Sequence, residues 1–290
     1  MLIKLKIKEN AVLVVDGTNL MHRHFYVKPD LTSSDGTPTG AIFGTIKMLK
    51  RYARDLNPLQ MYICFDKHRK TFRNNIFPDY KNNRKPTDER LKQQFSLLQE
   101  FCQLSNLPFV EIDDYEADDL IGSISVKARE YGFNPYAVSG DKDIYQLIAK
   151  KVEVIYVSNK GPVLFDTTKL SEKYDGLKPE QFLDFKALQG DTGDNIPGIP
   201  GIGEKTAIKL LNNYGSLEGI YANLDQLKGK QRINIENNKN IAYRAKELAT
   251  IQCNLDLNYN DFFETEIEAG YDFENKEVKT FLQKLDIKSL

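Results

Sequence analysis

The chain has 290 residues with 41 acidic and 40 basic side chains, a net charge of −1, 41% hydrophobic and 28% charged content. These values exclude a disordered or fibrous chain, show no global bias toward a polyanionic partner, and suit one large domain or two modest ones. The opening MLIKLKIKEN alternates Lys with apolar residues, so it is no signal peptide; no apolar run spans a bilayer, and Cys64, Cys102 and Cys253 read as reduced cytoplasmic thiols rather than a disulfide framework or zinc site.

AVLVV (11–15) reads as a buried strand ending at Asp16, and a helical pattern follows over about 40–53. QMYICF (60–65) is a second strand, ending at Asp66, and leads into a basic segment. A helix is expected over about 88–104, a strand at LPFV (107–110) and a helix over 116–130. NPYAVSG (134–140) is a strand ending at Asp141, and VEVIYV (152–157) is another. Helical patterns at 179–189 and Glu204–Leu211 flank a glycine-rich stretch. Strands alternating with helices predict a parallel, doubly wound α/β sheet.

Three of these strands stop at an aspartate, and ligands of an open parallel sheet bind beyond the carboxyl ends of its strands. Asp16, Asp66 and Asp141 are therefore expected at one rim, with Asp143 two positions on. The loop after LPFV delivers Glu116, Asp118 and Asp119 to the same edge, in the stretch YEADDLIG. Acids in a first helical turn also complement the helix dipole, and a lone aspartate after a strand is commonly a turn former or cap. Crowded carboxylates repel and resist desolvation, so such a cluster points to bound cations, and an all-oxygen set favours Mg²⁺ or Mn²⁺ over zinc.

The segment KHRKTFRNNIFPDYKNNRKPTDERLKQQF (67–95) is rich in Lys and Arg, with Phe72, Phe77 and Tyr80 interleaved. It reads either as a solvated linker leading to a charged helix or as a phosphate-clamping arch beside the acidic rim. GDTGDNIPGIPGIGEKTAIKLL (190–211) places Gly198, Gly201 and Gly203 ahead of a helix carrying Lys205 and Lys209. No strand precedes it and the GxxxxGK[ST] spacing is absent, so it is neither a dinucleotide fingerprint nor a P-loop. It reads as a helix-hairpin-helix type element holding a DNA phosphate on backbone amides; an ordinary helix–turn–helix connection is the alternative. Asp191 and Asp194 either cap this turn or reach the rim.

VVDGTNLMHRHFY, TFRNNIFPDYKNNR, YEADDLIG, SGDKD and GDTGDNIPGIPGIGEKTA, in this order over about residues 11–255, resemble the 5′-nuclease (flap endonuclease) family, and within it the 5′–3′ exonuclease domain of bacterial DNA polymerase I and its stand-alone relatives. The resemblance implies a PIN-like (resolvase-like) catalytic domain over 1–176, with a helical arch at about 67–104. It implies an all-α helix–three-turn–helix DNA-binding domain with C-terminal helices over 177–290. Carried over by position, Asp16, Asp66, Glu116 and Asp118 would surround a first divalent ion, and Asp119, Asp141, Asp143, Asp191 and Asp194 a second. Lys81 and Arg84 match arch residues that contact the scissile phosphate, Tyr80 a residue stacking on the terminal base, and Arg23 a basic phosphate contact. Hairpin carbonyls of this family often bind K⁺, which makes Gly198 to Ile202 candidates.

The expected function is a Mg²⁺-dependent 5′–3′ exonuclease and 5′-flap endonuclease using two ions, with Mn²⁺ as a substitute. Its substrates would be DNA with 5′ flaps, nicks or free 5′ ends, and RNA–DNA primers, in replication and repair. A monomer in the cytoplasm, bacterial or phage-type and nucleoid-associated, is expected to cooperate with a separate polymerase and ligase, with no membrane partner. His22, His24 and His68 are read as surface or packing residues. A non-catalytic DNA-junction binder and a PIN-type ribonuclease are the rival readings.

Overall fold

The structure, a computed structural model, describes residues 5–263 and 270–287. Short apolar runs bounded by polar turns form the first half: β1 (Ala11–Asp16), α1 (Gly17–Val27), α2 (Gly40–Leu56), β2 (Gln60–Cys64), α3 (Phe72–Ile76), α4 (Glu89–Leu104), β3 (Phe109–Val110) and α5 (Ala117–Glu130). β4 (Asn134–Ser139), β5 (Glu153–Ser158), β6 (Gly161–Phe165) and α6 (Thr167–Lys173) complete the sheet region. The remainder is helical: α7 (Phe182–Gln189), α8 (Glu204–Tyr214), α9 (Leu217–Ala222), α10 (Gly229–Asn237), α11 (Lys239–Ala249), α12 (Asn260–Phe263) and α13 (Lys276–Lys284).

Among the described residues the sheet has six strands in the order β3-β2-β1-β4-β5-β6, parallel except for β6. The expected parallel core is present. β6 is an addition: a tight hairpin through Gly161, at φ +114°, returns the chain antiparallel, and Pro162 is tolerated on this edge strand. β1 is buried on both faces, as a central parallel strand requires. Leu13 and Val15 join the cluster with α1, α2 and α4; Val12 and Val14 join the cluster with α5, which continues into α7, α8 and α11. The sheet and the helical module therefore share one core, which fixes the module beside the strand ends.

The basic segment forms no long arch helix before α4. It holds only the five-residue α3 and a run of turns, while α4 packs against the sheet side formed with α2. Residues 271–287, grouped by the sequence with the helical module, return to this same side: Phe273, Val278, Phe281 and Leu282 are buried with Leu98, Phe101 and Ile42.

Candidate metal centre and nucleic-acid interface

Parallel pairing sets the strand ends level, with Asp16 opposite Cys64 and Val15 opposite Val138, so Asp16, Asp66 and Asp141 emerge on one rim. With Glu116 and Asp118 they border a single cavity of about 920 Å³. Helix capping and rim placement are not alternatives here. Asp16 Oδ1 accepts from the Asn19 amide at 2.8 Å and caps α1, while Oδ2 accepts from the Ser139 hydroxyl at 2.7 Å. Asp66 Oδ1 accepts from the Ala117 amide at 2.7 Å at the start of α5.

Burial, then repulsion from Asp66 and Asp141, pushes the Asp16 carboxyl up to about 7 despite the hydrogen bonds from Ser139 and Asn19. Asp118 is driven well above the usual carboxylate range by burial first and then by Asp16 and Asp141, and its Oδ1 is buried without a hydrogen bond. Burial also raises Asp66. An orphaned carboxylate oxygen among repelling acids is the state that a hard divalent cation relieves, so these residues fit one. Among the described residues, no three side chains already close into a cage around one point; the acids border the cavity, with protein cations drawn between them.

The first turn of α5 divides its acids three ways. Asp118 faces the cavity. Glu116 accepts from Lys81 Nζ at 2.7 Å and from the Tyr80 hydroxyl at 3.1 Å. Asp119, which the resemblance puts with the second ion, is not among the cavity walls in this structure. It is fully buried, its two oxygens hold Arg73 at 2.7 and 2.8 Å, and it also accepts from the amides of Gln252 at 2.8 Å and Glu116 at 3.1 Å. Its lone pairs are committed to joining α3, α5 and the chain after α11.

Asp143, Asp191 and Asp194 form a neighbouring acid set, each held by a cation. Lys186, on α7, places Nζ 2.5 Å from Asp143 Oδ1 and also pairs with Asp191. Burial works against this ammonium, but Asp143 and Asp191 hold it charged, above its ordinary range. Burial followed by repulsion from Asp141 pushes Asp143 up to about 7 even so. Asp194 pairs with Arg84 and lies 3.8 Å from Lys81 Nζ. Lys186 and Arg73 are site residues that the sequence reading missed; a lysine inside the apolar run FLDFKALQ is the signal that identifies the first.

Lys81 and Arg84 border the cavity. Lys81 adopts φ +54°, a left-handed conformation unfavourable for a lysine, and its amide donates to the Asp194 carbonyl at 2.9 Å. Tyr80 does not offer a stacking face: it is 4% exposed, its ring lies in the core, and its hydroxyl points at Glu116 and Asp194. Arg23 donates to Asn159 Oδ1 at 2.5 Å, on the β5–β6 hairpin, and is not among the cavity walls. His22 and His68 do border the cavity, with Tyr26, Lys85, Lys92 and Phe95. His24 instead packs inward, 3.1 Å from Thr45 Oγ1.

The hairpin turns its isoleucines inward and its glycines to different tasks. Ile196, Ile199 and Ile202 are buried. A Cβ on Gly198 would sit 2.1 Å from the Gln189 carbonyl oxygen, so this glycine lets the loop pack closely against α7 while staying partly exposed. Gly201 is exposed at φ +78°. Gly203 caps α8 with φ −92° and open space around its Cβ position, so the fold itself would admit a side chain there. Lys205 and Lys209 are exposed on α8. Of the carbonyls considered for K⁺, Ile199 accepts from the Ile202 amide at 3.0 Å and Pro200 from Asn234 Nδ2 at 2.8 Å.

A resolvase-like sheet with carboxylates at its strand ends, joined to a glycine-hairpin helical module, defines a two-part nuclease. Residues 11–175 match the 5′–3′ exonuclease N-terminal resolvase-like domain, and residues 177–268 the 5′–3′ exonuclease C-terminal SAM fold. The chain belongs to the 5′–3′ exonuclease family. It is 35% identical over 259 residues to a 5′–3′ exonuclease of Buchnera aphidicola, covering 87% of this chain and 90% of that one. It is 40% identical over 251 residues to DNA polymerase I of Caldicellulosiruptor bescii, covering 85% of this chain but 29% of the polymerase. In fold it is similar to T5 5′-exonuclease, solved with bound zinc, with a TM-score of 0.69 at 24% identity over 96% of this chain and 100% of that one. No helix among the described residues is long and apolar enough to cross a membrane.

Proposed function

We propose that this chain exerts its family's nuclease activity at the cavity bordered by Asp16, Asp66, Asp118 and Asp141, on DNA with 5′ flaps, nicks or free 5′ ends, and that Mg²⁺ is the cation it uses. The observation that carries the assignment is the buried, unpartnered Asp118 Oδ1 among acids that raise one another's pKa. Asp16, Asp66, Asp118 and Asp141 would hold one ion; Asp143, Asp191 and Asp194, with Lys186 released from between them, would serve a second. Divalent cations at such sites supply Lewis-acid activation of water and charge stabilisation of the leaving oxygen.

The protein's own residues supply binding and placement. Lys81 and Arg84 border the cavity while paired to Glu116 and Asp194, so an incoming phosphate exchanges one anionic partner for another without leaving either cation bare. The exposed Gly201 and Gly203 of the hairpin and the Lys205 and Lys209 side chains hold a duplex arm through its phosphates, which fixes register without reading sequence. K⁺ at the hairpin, RNA–DNA primers as substrates, a separate polymerase and ligase as functional partners, a monomeric state and a bacterial cytoplasmic setting belong to the same reading.

The test is a 5′-labelled flap incubated with Mg²⁺ or with EDTA, alongside an RNA strand of the same sequence. Cleavage of the flap near its junction in Mg²⁺ alone is expected. Tight flap binding without cleavage would make the chain a junction-binding protein, and preferential cutting of the RNA would make it a ribonuclease.

A further inference from the structure

The two acid sets differ in what already occupies them. In the set of Asp16, Asp66, Asp118 and Asp141, Asp118 Oδ1 is buried with no hydrogen bond. The second set is held by an ammonium from the helical module. Lys186 is buried on α7, where Phe182, Phe185 and Leu188 join the core. Its Nζ donates to Asp191 Oδ2 and lies 2.5 Å from Asp143 Oδ1, which is itself buried and receives no aligned hydrogen bond. Asp191 Oδ1 is committed elsewhere, accepting from the amides of Gly193 at 2.7 Å and Asp194 at 3.2 Å. The oxygen that Asp191 has left for an ion is therefore the one that Lys186 holds. Asp143 follows β4 and Asp191 follows α7, so the same ammonium bridges the sheet and the helical module.

We propose that Lys186 is a resident competitor for the second ion: it holds Asp143 and Asp191 together while the set is free of metal, gives them up to a divalent cation, and so makes the two ions bind in order, the Asp118 set first. The inference rests on the two-ion reading above. An ammonium and a divalent cation cannot share these oxygens, because two cations in contact and screened from water repel strongly. The helix cannot withdraw as a whole, since Phe182, Phe185, Ala187 and Leu188 are core residues. The lysine can, because its stem is flexible and its ammonium is a point charge; a guanidinium fork would grip both carboxylates and be harder to evict.

The experiment is a calorimetric titration of the metal-free chain with Mn²⁺, joined to hydrogen exchange in EDTA and in Mn²⁺. The wild-type chain shows a tighter and a weaker binding step. Lys186→Met, which suits an apolar helix, strengthens the weaker step by about 10–100-fold, the scale on which side chains around a metal set its affinity, and leaves the tighter step in place. Lys186→Arg weakens the second step. In EDTA, Lys186→Met loses protection over residues 143–150 and 182–195, and Mn²⁺ restores it, because the ion then bridges the acids that the ammonium bridged. An unchanged or weaker second step in Lys186→Met, a stronger one in Lys186→Arg, or protection that stays lost in Mn²⁺ overturns the proposal. If Lys186→Met does not fold, the sign of the change in Lys186→Arg decides alone. A wild-type chain that binds one ion or none refutes the two-ion reading itself, whereas two wild-type steps with the second unmoved in both variants refute the role of Lys186 alone.

Discussion

Lys81 places its Nζ 2.7 Å from Glu116 Oε2, so a residue of the basic segment is pinned to the helix that carries the rim acids. Burial works against the ammonium, but Glu116 and Asp194 hold it charged, well above its ordinary range. A cation kept charged in a partly dry site is suited to opposing charge that develops on a phosphate. Lys81→Ala is expected to lower the single-turnover cleavage rate by about 10²–10³-fold, the usual cost of one such contact, with flap affinity within a few-fold of wild type. Rapid-quench kinetics beside anisotropy separates the two; a variant altered only in affinity would make Lys81 a docking residue.

Asp119 and Asp118 are adjacent, yet their substitution should act in opposite ways. Asp119→Ala strands Arg73, whose side chain is 3% exposed. Breaking a buried pair on one side costs about 3–5 kcal/mol. Divalent-cation affinity, read by calorimetry on the milder Asp119→Asn variant, should stay at the wild-type value. Asp118→Asn should instead abolish cleavage in Mg²⁺ and leave stability in EDTA undiminished, since it removes a repelled carboxylate. A weakened metal isotherm in Asp119→Asn would return that residue to the ligand set.

The raised carboxyls make stability and cation binding depend on pH in a stated direction. Without metal, Asp16 and Asp143 hold their protons up to about pH 7 in the folded chain, while unfolded carboxyls release them near pH 4. At these carboxyls the folded state binds more protons across that window, so their contribution to stability is greatest at its acidic end and falls as pH rises toward 7, outweighing the opposite effect of buried His24, which burial lowers to about 4. Cation binding requires the ionised forms and therefore strengthens over the same range. Differential scanning fluorimetry should show the melting temperature in EDTA falling between pH 5 and 7.5, and the increment from Mg²⁺ growing. An increment independent of pH would show that these carboxyls do not bind the ion.

The strands and the rim were legible because a central parallel strand is apolar throughout and an aspartate at its end is conspicuous. The division of labour within EADD was not. Successive helical positions differ by about 100°, so which neighbour faces the cavity depends on how α5 sits on the sheet. Arg73 carries no local sign of burial, since its partner lies 46 residues away. Tyr80 looked like a stacking residue because basic and aromatic side chains alternate around it; only the fold shows that its ring fills the core below Glu116. Lys186 was readable in principle, as a cation that an apolar helix must bury against acids. β6 escaped because a five-residue edge strand beginning Gly-Pro has no periodicity to detect.

Residues 271–287 give the last prediction, because they tie together parts of the chain that wall the cavity. Phe273 stacks on Phe101 with ring centres 5.5 Å apart and planes at 24°. The Asp272 amide donates to the Ser105 carbonyl, and Asn275 Nδ2 to the Leu104 carbonyl, each at 2.8 Å. Both contacts hold the end of α4, whose Lys92 and Phe95 border the cavity. At the other end, the Ser34 amide donates to Asp286 Oδ2 at 2.6 Å in the loop between α1 and α2. Phe273 is 7% exposed, so Phe273→Ala should cost about 3–5 kcal/mol, the range for a buried Phe reduced to Ala. Asn275→Ala removes a helix cap as well as the bond to α4 and should cost about 1–2 kcal/mol. Urea denaturation measures both. Hydrogen exchange should find the lost protection in α2, α4 and α13, with α8 and α11 unchanged at denaturant levels below the transition. Equal loss across both halves would mean that the segment stabilises the whole chain rather than bracing this wall.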